Sequence, residues 1–554
     1  MTLSSFGRAL LITVSVSTLL TACNLSPEFA TPSAANPAQF KEADQALEGK
    51  WVIASKDAGQ VDQSKWWTIF NDQALNELQD QATEANQDLK IAAARLNQLD
   101  AVYRQNRAGL LPAINLGGNA GRGNTLNLGG KPSTNYQAQV NLSYEVDLFG
   151  RIRNQAEMAR LNREAQRDLL NQSVLLIHGQ VAQNYFALQA LDTERDLLRQ
   201  TITLREEAAK LINSRYKLGE TGEQDDLRAQ AELASTQAEL TALDEQRAIT
   251  EHALAVLIGK APSDVTLVEK KLPESLPLIP AGIPSTVLER RPDIAAAQKQ
   301  MAAANANIGI ARAAFFPSLN LTAIGGLASN ELGDLFKWSS RTWMLGPLFG
   351  TALSMPLFDG GRRIAGVDLA KAGYDEAVAT YRQQVLVSFR EVEDSLVSLR
   401  LDAQQAEQLY RAADAATKAN HISDVRYKEG ETSYLEVIDT QRDALSAQRA
   451  YTRVQGQRFV DTVNLIRALG GGWSGAAPAE ATTVKPVEEP KILSPRVEDA
   501  PKRNITPDGS SAFAMPIPKT DVPAVKPATG ENSVLAPASE SSSVLPLTLS
   551  PDKK

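Results

Sequence analysis

The clearest pattern in this chain is a strict alternation of apolar and polar residues over positions 136–148. The even positions carry Tyr, Ala, Val, Leu, Tyr, Val and Leu, and the odd positions carry only Gln, Asn, Ser, Glu or Asp. A period of two residues predicts a β-strand with one apolar and one polar face, of a length that suits a bilayer-crossing strand. Weaker patterns, the last of them interrupted by prolines, predict further strands at 112–122, 317–327 and 343–357.

Long stretches of helix-forming composition separate these strands. The segment 151–216 contains one glycine and no proline, and as a single helix it would extend roughly 100 Å. Helices of this length exceed the globular norm and predict coiled-coil packing. Gly219, Gly222 and Gly430 predict turns that reverse the chain. The predicted helices cover 72–106, 151–216, 223–258, a stretch ending at Ala314, 362–428 and 433–468.

Three motifs recur in the same order along the chain. The segment that begins at Arg107 (RAGLLPAINL) returns at Arg312 as RAAFFPSLNL, an offset of 312 − 107 = 205 residues. RYKLGET at Arg215 returns at Arg426 as RYKEGET, an offset of 426 − 215 = 211 residues, and LFGR at Leu148 returns more loosely as LFDGGR. Three motifs at nearly one spacing indicate a tandem duplication of about 200 residues.

The N-terminal segment has the pattern of a bacterial lipoprotein signal. Arg8 precedes an uncharged apolar run that ends in Leu20-Thr-Ala-Cys23, which resembles a lipobox. The run is too short to span a bilayer. We therefore expect residues 1–22 to be a signal peptide and Cys23 to carry a covalent lipid, with no other cofactor. A plain secretory signal with an incidental cysteine is the alternative.

Composition argues against several functions. The net charge is −8, from 57 basic and 65 acidic residues, and no basic cluster suggests nucleic acid. Cys23 is the only cysteine, which excludes an intrachain disulfide and any motif with several cysteine ligands. His178, His252 and His421 are far apart in the chain, and no converging catalytic set is visible. The sequence therefore predicts neither an enzyme nor a metal site.

Four strands are too few to cross a membrane alone. In lipid every backbone polar group must be satisfied, so strands span only as closed barrels of at least about eight strands. Three chains with four strands each would provide twelve, enough to leave an aqueous lumen. A water-soluble four-stranded sheet packed on helices remains the alternative on pattern alone.

Several features together resemble the outer-membrane factor family, the TolC-like and NodT-like efflux lipoproteins. They are the lipobox, the Trp66-Trp67…Phe70 segment, the duplicated Arg-Ala…Pro strand starts, the paired Leu-Phe…Gly-Arg helix starts and the two Arg-Tyr-Lys…Gly turns. The resemblance covers residues 23 to about 470. It implies an α+β membrane protein: a homotrimer with a twelve-stranded β-barrel, four strands per chain, continued by a long α-helical periplasmic barrel. A belt formed by the chain ends and 259–290 would surround its middle.

The resemblance also implies a function and partners. Such a protein is the outer-membrane exit duct of a tripartite efflux system, joined to a periplasmic adaptor and an inner-membrane transporter. Adaptors would dock at the turns containing Gly219, Gly222 and Gly430. The outer membrane component of a type I protein secretion system is one alternative, and a poreless periplasmic helical lipoprotein is an alternative of a different class.

The resemblance places a closing constriction just beyond the second turn. Leu435 matches an apolar ring residue, and Asp439 and Arg442 match a charged pair that ties neighbouring helices together. Glu436 occupies the position of a second carboxylate, and Tyr427 matches a tyrosine that holds the tip closed. Thr432 departs from the pattern, because some members carry an arginine there. From spacing alone, Asp439 and Arg442 could equally form an exposed pair on one helix.

The predicted organisation follows from the repeats. Its segments are the signal peptide 1–22, the N-terminal anchor, equatorial segment and first helix 23–111, the first β-hairpin 112–148, the first helical hairpin 149–258, the equatorial segment and helix 259–311, the second β-hairpin 312–358, the second helical hairpin 359–469 and a disordered Pro/Ala/Ser-rich tail 470–554.

Overall fold

The computed structural model describes residues 24–33, 37–42, 51–53, 63–124, 132–279, 287, 290–345 and 351–471. All of them belong to one compact unit, Met1–Pro486. The predicted signal peptide, Cys23 and the predicted tail beyond residue 471 lie outside the described residues, as does the second unit, Val487–Lys554.

Helices and two β-sheets make up the described part of the chain. The helices are α1 (Gln73–Ala85), α2 (Gln87–Ala108), α3 (Arg151–Lys217), α4 (Glu223–Leu257), α5 (Pro292–Ala313), α6 (Arg362–Lys428) and α7 (Tyr434–Ala468). The strands are β1 (Trp51–Ile53), β2 (Ala113–Asn124), β3 (Pro132–Val146), β4 (Leu276–Leu278), β5 (Ser318–Ser329), β6 (Arg341–Leu345) and β7 (Thr351–Ser354).

The tandem duplication predicted from the motifs is evident in the element lengths. Helices α2 and α5 both have 22 residues, α3 and α6 both have 67, and α4 and α7 both have 35. Each 67-residue helix starts after a glycine with positive φ, Gly150 at +77° and Gly361 at +88°, a conformation that costs glycine least. At about 1.5 Å per residue each of these helices is about 100 Å long.

The single helix predicted over 72–106 is wrong, because the chain breaks at Asn86. The backbone of this residue leaves the helical region (φ −57°, ψ +130°), and its side chain caps α2 by accepting a bond from Leu89 N at 3.1 Å. The side-chain amide also donates to the carbonyl of Leu257 at 2.8 Å. Asparagine is favoured at such a cap because its oxygen satisfies an otherwise free N–H.

The larger sheet is antiparallel, and its register aligns the apolar residues of three strands. Strand β3 lies between β2 and β5, and the pairs Ile114–Leu142, Leu116–Val140 and Leu142–Ala323 lie on one face. Directly paired residues share a face, so the apolar face predicted for 136–148 continues across the sheet. The opposite face carries Asn, Gln, Ser and Thr at most positions, as in Asn115–Asn141 and Ser143–Thr322.

The single strand predicted over 343–357 is wrong in detail. Two shorter strands, β6 and β7, both pair with β5, through Leu345–Ala323 and Thr351–Leu321. Their registers against β5 differ by four residues, since 345 + 323 = 668 and 351 + 321 = 672. Proline cannot donate to a ladder, and Pro347 belongs to the segment between the two strands, outside the described residues.

The apolar face of this sheet is not covered by the helices. Beyond the strands themselves, its extended contacts within the described residues are with the short turn Trp338–Ser340. Ile114 is 69% exposed and Leu116 is 83% exposed. The alternative of a soluble sheet packed on helices is therefore wrong for this chain, since the side chains that such packing would bury face outward.

The helices form two successive four-helix layers that share α3 and α6. Nearer the sheet the order is α2, α3, α5, α6, and farther away it is α4, α3, α7, α6. The edge helices are therefore α2 and α6 in the first layer and α4 and α6 in the second.

The main hydrophobic core lies where the chain ends and the inter-repeat segment meet the middle of the long helices. Strand β1 pairs in parallel with β4 here, in the register Trp51–Leu276. Phe186 and Phe459 pack with ring centres 4.9 Å apart, which joins α3 to α7. Other buried members include Phe40, Trp66, Trp67, Leu75, Leu254, Val287, Met301 and Val385.

His178 is buried in this core. Its ring stacks on Trp67 at 4.3 Å, and Nδ1 lies 2.5 Å from the side-chain oxygen of Gln79. Gln79 Nε2 in turn donates to the His178 carbonyl at 2.9 Å. Burial disfavours the charged imidazolium and lowers the pKa of His178 to about 4.

This histidine predicts an acid-sensitive core. Its folded-state pKa lies below the usual value near 6.5, so the unfolded chain takes up the proton first. Stability should therefore fall as pH drops from about 6.5 to about 4, by on the order of 3 kcal/mol. Tryptophan fluorescence during chemical unfolding at pH 7 and pH 4 would measure it. The loss should shrink in His178→Phe and persist in His252→Gln, which changes an exposed histidine; equal losses in all three proteins would contradict the assignment.

Candidate functional site

The end of the molecule farthest from the large sheet is formed by two similar turns. Gly219 and Gly430 have φ of +77° and +81° and end the two 67-residue helices. In each turn the next amide bonds back to the helix: Glu220 N to the Arg215 carbonyl and Glu431 N to the Arg426 carbonyl, both at 2.9 Å. This is the Schellman arrangement that glycine favours. Gly222, by contrast, has φ −79°, which other residues also adopt.

A small apolar cluster joins the two helical hairpins just inside these turns. Tyr434, Val437 and Ile438 from the start of α7 are buried against Ile212 of α3 and Ala229 of α4. Burial also raises the pKa of Tyr434 to about 12. The cluster fixes the first two turns of α7, which carry most of the residues predicted for the constriction.

Tyr427 links α6 to α3 within one chain. Arg215 NH1 lies 3.4 Å from the Tyr427 hydroxyl, and its guanidinium lies 5.6 Å from the centre of the tyrosine ring. The ring also packs beside Tyr434, with centres 5.5 Å apart. A cation over an aromatic face contributes about 0.5–1 kcal/mol at a partly exposed site.

Leu435, Glu436 and Asp439 lie on the outer side of the same helix start. Leu435 is 41% exposed, and Glu436 and Asp439 are exposed as well. Glu436 accepts a bond from the Thr432 hydroxyl and lies 3.7 Å from Arg426 NH1. Thr432, which departs from the resemblance, therefore contacts a side chain of its own turn, Glu436. Within one chain these residues leave an apolar side chain and two carboxylates facing away from the core.

Within one chain, Arg442 contacts acidic residues on two helices. It lies 3.9 Å from Asp439 on its own helix, a weak contact, but it forms a much closer ion pair with Glu232 of α4. Glu232 also pairs with the buried Arg205 of α3 at 3.1 Å. Arg205 donates in addition to the Glu232 carbonyl at 3.0 Å. Sequence reasoning missed Glu232 and Arg205, because each lies on a helix of the first repeat and no motif pairs them with Arg442.

These ion pairs border a cavity of about 410 Å³ between α4 and α7. Arg449 pairs with the buried Glu194 at 2.6 Å and also with Glu239. Arg453 pairs with Glu194 at 2.8 Å. The arginines of α7 thus pair with carboxylates of the first repeat along one groove. These ion pairs, together with the apolar cluster, hold α7 against α3 and α4.

A second region of interest is the N-terminal segment 24–33, which runs along α5. Asn24 accepts a bond from Asn154 in the first turn of α3 at 3.1 Å, and Arg312 in the last turn of α5 donates to the Leu25 carbonyl at 3.3 Å. A Cβ on Gly309 would lie 2.1 Å from the hydroxyl of Ser26. The segment therefore starts at the junction between the large sheet and the helices, and glycine allows its close approach.

Within the described ranges, no helix has the length and apolarity needed to cross a membrane. Over the same part of the chain, no group of three or more His, Cys, Asp or Glu side chains is arranged to hold a metal ion.

Comparison with known proteins identifies the class. The family model described as "Outer membrane efflux protein" matches residues 78–260 and 283–471. The chain is 35% identical over 473 residues to the solvent efflux pump outer membrane protein SrpC of Pseudomonas putida, which covers 82% of this chain and 97% of that protein. It is 31% identical over 464 residues to the cation efflux system protein CusC of Escherichia coli, with coverage of 83% and 97%.

Solved structures agree. The CmeC outer membrane channel of Campylobacter jejuni superposes with a TM-score of 0.75 at 26% identity, over 83% of this chain and 96% of that one. The fold and its matches define an outer-membrane channel component of an efflux system, a passive channel and not an enzyme. This chain belongs to the outer membrane efflux protein family, which confirms the resemblance to the outer-membrane factors.

Proposed function

We propose that this protein works as a lipid-anchored homotrimer whose shared β-barrel and helical tunnel conduct small molecules outward and close at the turns near Gly219 and Gly430. One observation carries this proposal: within the described residues, the larger sheet and both helical layers each end, on two sides, in a strand or helix that has no further neighbour. A periplasmic adaptor and an inner-membrane transporter would complete the pump, with the adaptor docking at the turns.

The sheet supplies the first pair of edges. Among the described residues, strand β2 has a neighbour on one side only, and at the other edge of the sheet β6 and β7 pair only with β5. Unpaired strand edges invite pairing with another chain, and within lipid they must be paired. Because β2 runs antiparallel to β6 and β7, pairing β2 of one copy with these strands of the next would continue the antiparallel sheet.

The helical layers supply matching edges. Exposed apolar residues recur three or four positions apart along most of α4, with one gap of seven, and over 412–422 of α6. This is the spacing of a coiled-coil seam. On α4 they are Leu227, Ala231, Ala234, Ala238, Ala242, Ile249, Ala253 and Val256, and on α6 they are Leu401, Ala412, Ala415, Ala419 and Ile422. Small residues allow two helices to approach closely, so α4 of one copy fits against α6 of the next.

The edges lie on consistent sides of the chain. Strand β2 follows α2, and β7 precedes α6, so one rotation that brings α2 beside α6 of a neighbour also brings the sheet edges together. Cyclic closure by a single repeated contact is the usual symmetry of soluble and membrane oligomers. Strands β6 and β7 pair with successive parts of β5 and together occupy one position in the sheet, so each chain fills four positions. Three copies would fill twelve, an even number within the range of bacterial barrels.

This packing predicts that Ala415→Trp prevents trimer formation while the single chain still folds. A large ring on the seam of α6 cannot be accommodated in a close helix contact, and overpacking costs about 1–3 kcal/mol per copy. Migration on gels without boiling would report the trimer, and circular dichroism would report the helices. His421→Trp, on another side of the same helix, serves as the control. If both variants assemble equally well, α6 does not form the seam.

A lipid on Cys23 would fit the position of the N-terminal segment. Cys23 is covalently bonded to Asn24, and Asn24 lies where the sheet meets the helices. In the proposed assembly that junction lies at the periplasmic face of the membrane. Two or more acyl chains anchor a protein firmly, whereas one chain binds only marginally.

The anchor predicts that the protein incorporates labelled palmitate in cells and that Cys23→Ser abolishes this label. Intact-mass measurement of the purified protein would show an N-terminal Cys23 carrying acyl chains. Thr21→Ser, beside the cysteine, is the control and should leave labelling unchanged. An unlabelled wild-type protein of the mass expected for simple signal cleavage would overturn the proposal.

The constriction would be formed by the starts of three α7 helices. Copies of Glu436 and Asp439 around one axis repel each other unless cations pair with them, and Arg442 is one turn from Asp439. Rings of charged and apolar side chains are common gating devices. Leu435, exposed in the single chain, would complete the ring.

Single-channel conductance in planar bilayers tests the gate. The wild type should show a small, mostly closed conductance, and Asp439→Ala and Arg442→Ala should open it. Three exposed pairs of roughly 0.5 kcal/mol each shift the closed–open equilibrium about tenfold. Equal conductance in all three proteins would keep the channel but remove these residues from the gate.

Which compounds are transported depends on the adaptor and the inner-membrane transporter more than on the channel itself. Relatives are named for the efflux of solvents and toluene, and one for cations, so closely similar ducts serve different cargoes. These names favour efflux over the type I protein secretion alternative. A poreless lipoprotein is excluded by membership in a channel family.

A further inference from the structure

Glu232 occupies a central position in the groove between α4 and α7. Glu232 is 8% exposed, and its carboxylate contacts arginines from two other helices. Arg205 of α3 reaches it at 3.1 Å, and Arg442 of α7 forms a closer ion pair with the same carboxylate. One buried carboxylate therefore connects three helices of the chain.

The two arginines differ in how much they depend on Glu232. Arg205 is 6% exposed, and burial lowers its pKa from the usual value of arginine, against the attraction of Glu232. An arginine in this position must keep a carboxylate partner, because an unpaired buried charge is strongly unfavourable. Arg442 is more than half exposed and has Asp439 as a second partner. Arg442 can therefore leave Glu232, whereas Arg205 cannot.

The position of the pair on α7 gives it mechanical importance. Helices α4 and α7 lie on either side of α3 and have little direct contact, so the Glu232–Arg442 pair is one of their few ties. Residue 442 is one turn beyond Asp439 and two turns beyond Leu435. A movement of the first turns of α7 away from α4 would separate Arg442 from Glu232.

We propose that Glu232 is the positioning residue that latches α7 in the closed state: it stays paired with Arg205, and its ion pair with Arg442 must break when the tip opens. The latch rests on the proposed gate at the start of α7 but assigns the holding contact to one chain instead of to neighbouring chains.

The test compares single-channel conductance of purified trimers. Glu232→Gln removes the charge but keeps a hydrogen-bonding side chain for Arg205, and it should raise the open probability at least about tenfold. Glu232→Asp keeps the charge near Arg205 but withdraws it from Arg442, and it should open the channel to an intermediate extent. Glu245→Gln, at an exposed position on the same helix, is the matched control and should remain closed.

A double variant separates a latch from a general loosening of the tip. If Glu232 acts through Arg442, Glu232→Gln with Arg442→Ala should open no further than Arg442→Ala alone. Opening that adds in the double variant would overturn the latch. All variants are compared as trimers of equal thermal stability, so that loss of folding is not mistaken for opening.

The outcomes also distinguish the latch from the gate on which it rests. If Arg442→Ala and Asp439→Ala open the channel while Glu232→Gln remains as closed as the wild type, the gate stands and the latch is wrong. If none of the variants opens a conducting channel, both the gate and the latch are wrong.

Discussion

The constraint on which this structure depends is that backbone edges and apolar faces must be covered. Over the part of the chain that the structure describes, the larger sheet ends in unpaired strands on both sides and the helical layers end in exposed seams on both sides. Each unpaired strand edge leaves N–H and C=O groups that cost free energy unless they are hydrogen-bonded. A ring of copies satisfies all of these edges with one repeated contact. In such a ring the long helices would pack along their exposed seams, and the apolar face of the sheet would lie on the outside.

The duplication explains how one chain supplies a large arc of such a ring. The first repeat contributes strands β2 and β3, and the second contributes β5, β6 and β7. Each repeat also has one helix of 22 residues, one of 67 and one of 35. The repeats are equal in length but not in role. The second repeat carries Leu435, Asp439 and Arg442 near the start of its last helix, and the first repeat supplies the buried acid, Glu232, that pairs with Arg442. The main hydrophobic core joins the two repeats, since Phe186 of the first repeat packs on Phe459 of the second within it.

Two interactions of different strength hold the tip. The apolar cluster around Ile212, Val437 and Ile438 buries whole side chains, each worth about 1.5–3 kcal/mol. The exposed Asp439–Arg442 pair is worth about 1 kcal/mol at most. Packing therefore decides where α7 lies, and charge decides how readily it moves. A gate needs such a balance, because a few kcal/mol supplied by a partner must be enough to shift it.

Local patterns in the sequence determined the secondary structure and the repeat. The alternation over 136–148 identified a strand with two faces, and the composition of 151–216 and 362–428 identified helices that end within a residue or two of their observed limits. These features depend on neighbours in the chain, so periodicity and propensity reveal them. Only the tertiary structure decided the break at Asn86, the division of the last strand and the partner of Arg442. Each of these depends on residues distant in sequence: Leu257 opposite Asn86, strand β5 opposite β6 and β7, and Glu232, which lies 210 residues before Arg442. No local pattern records which of many carboxylates an arginine will meet once the helices pack.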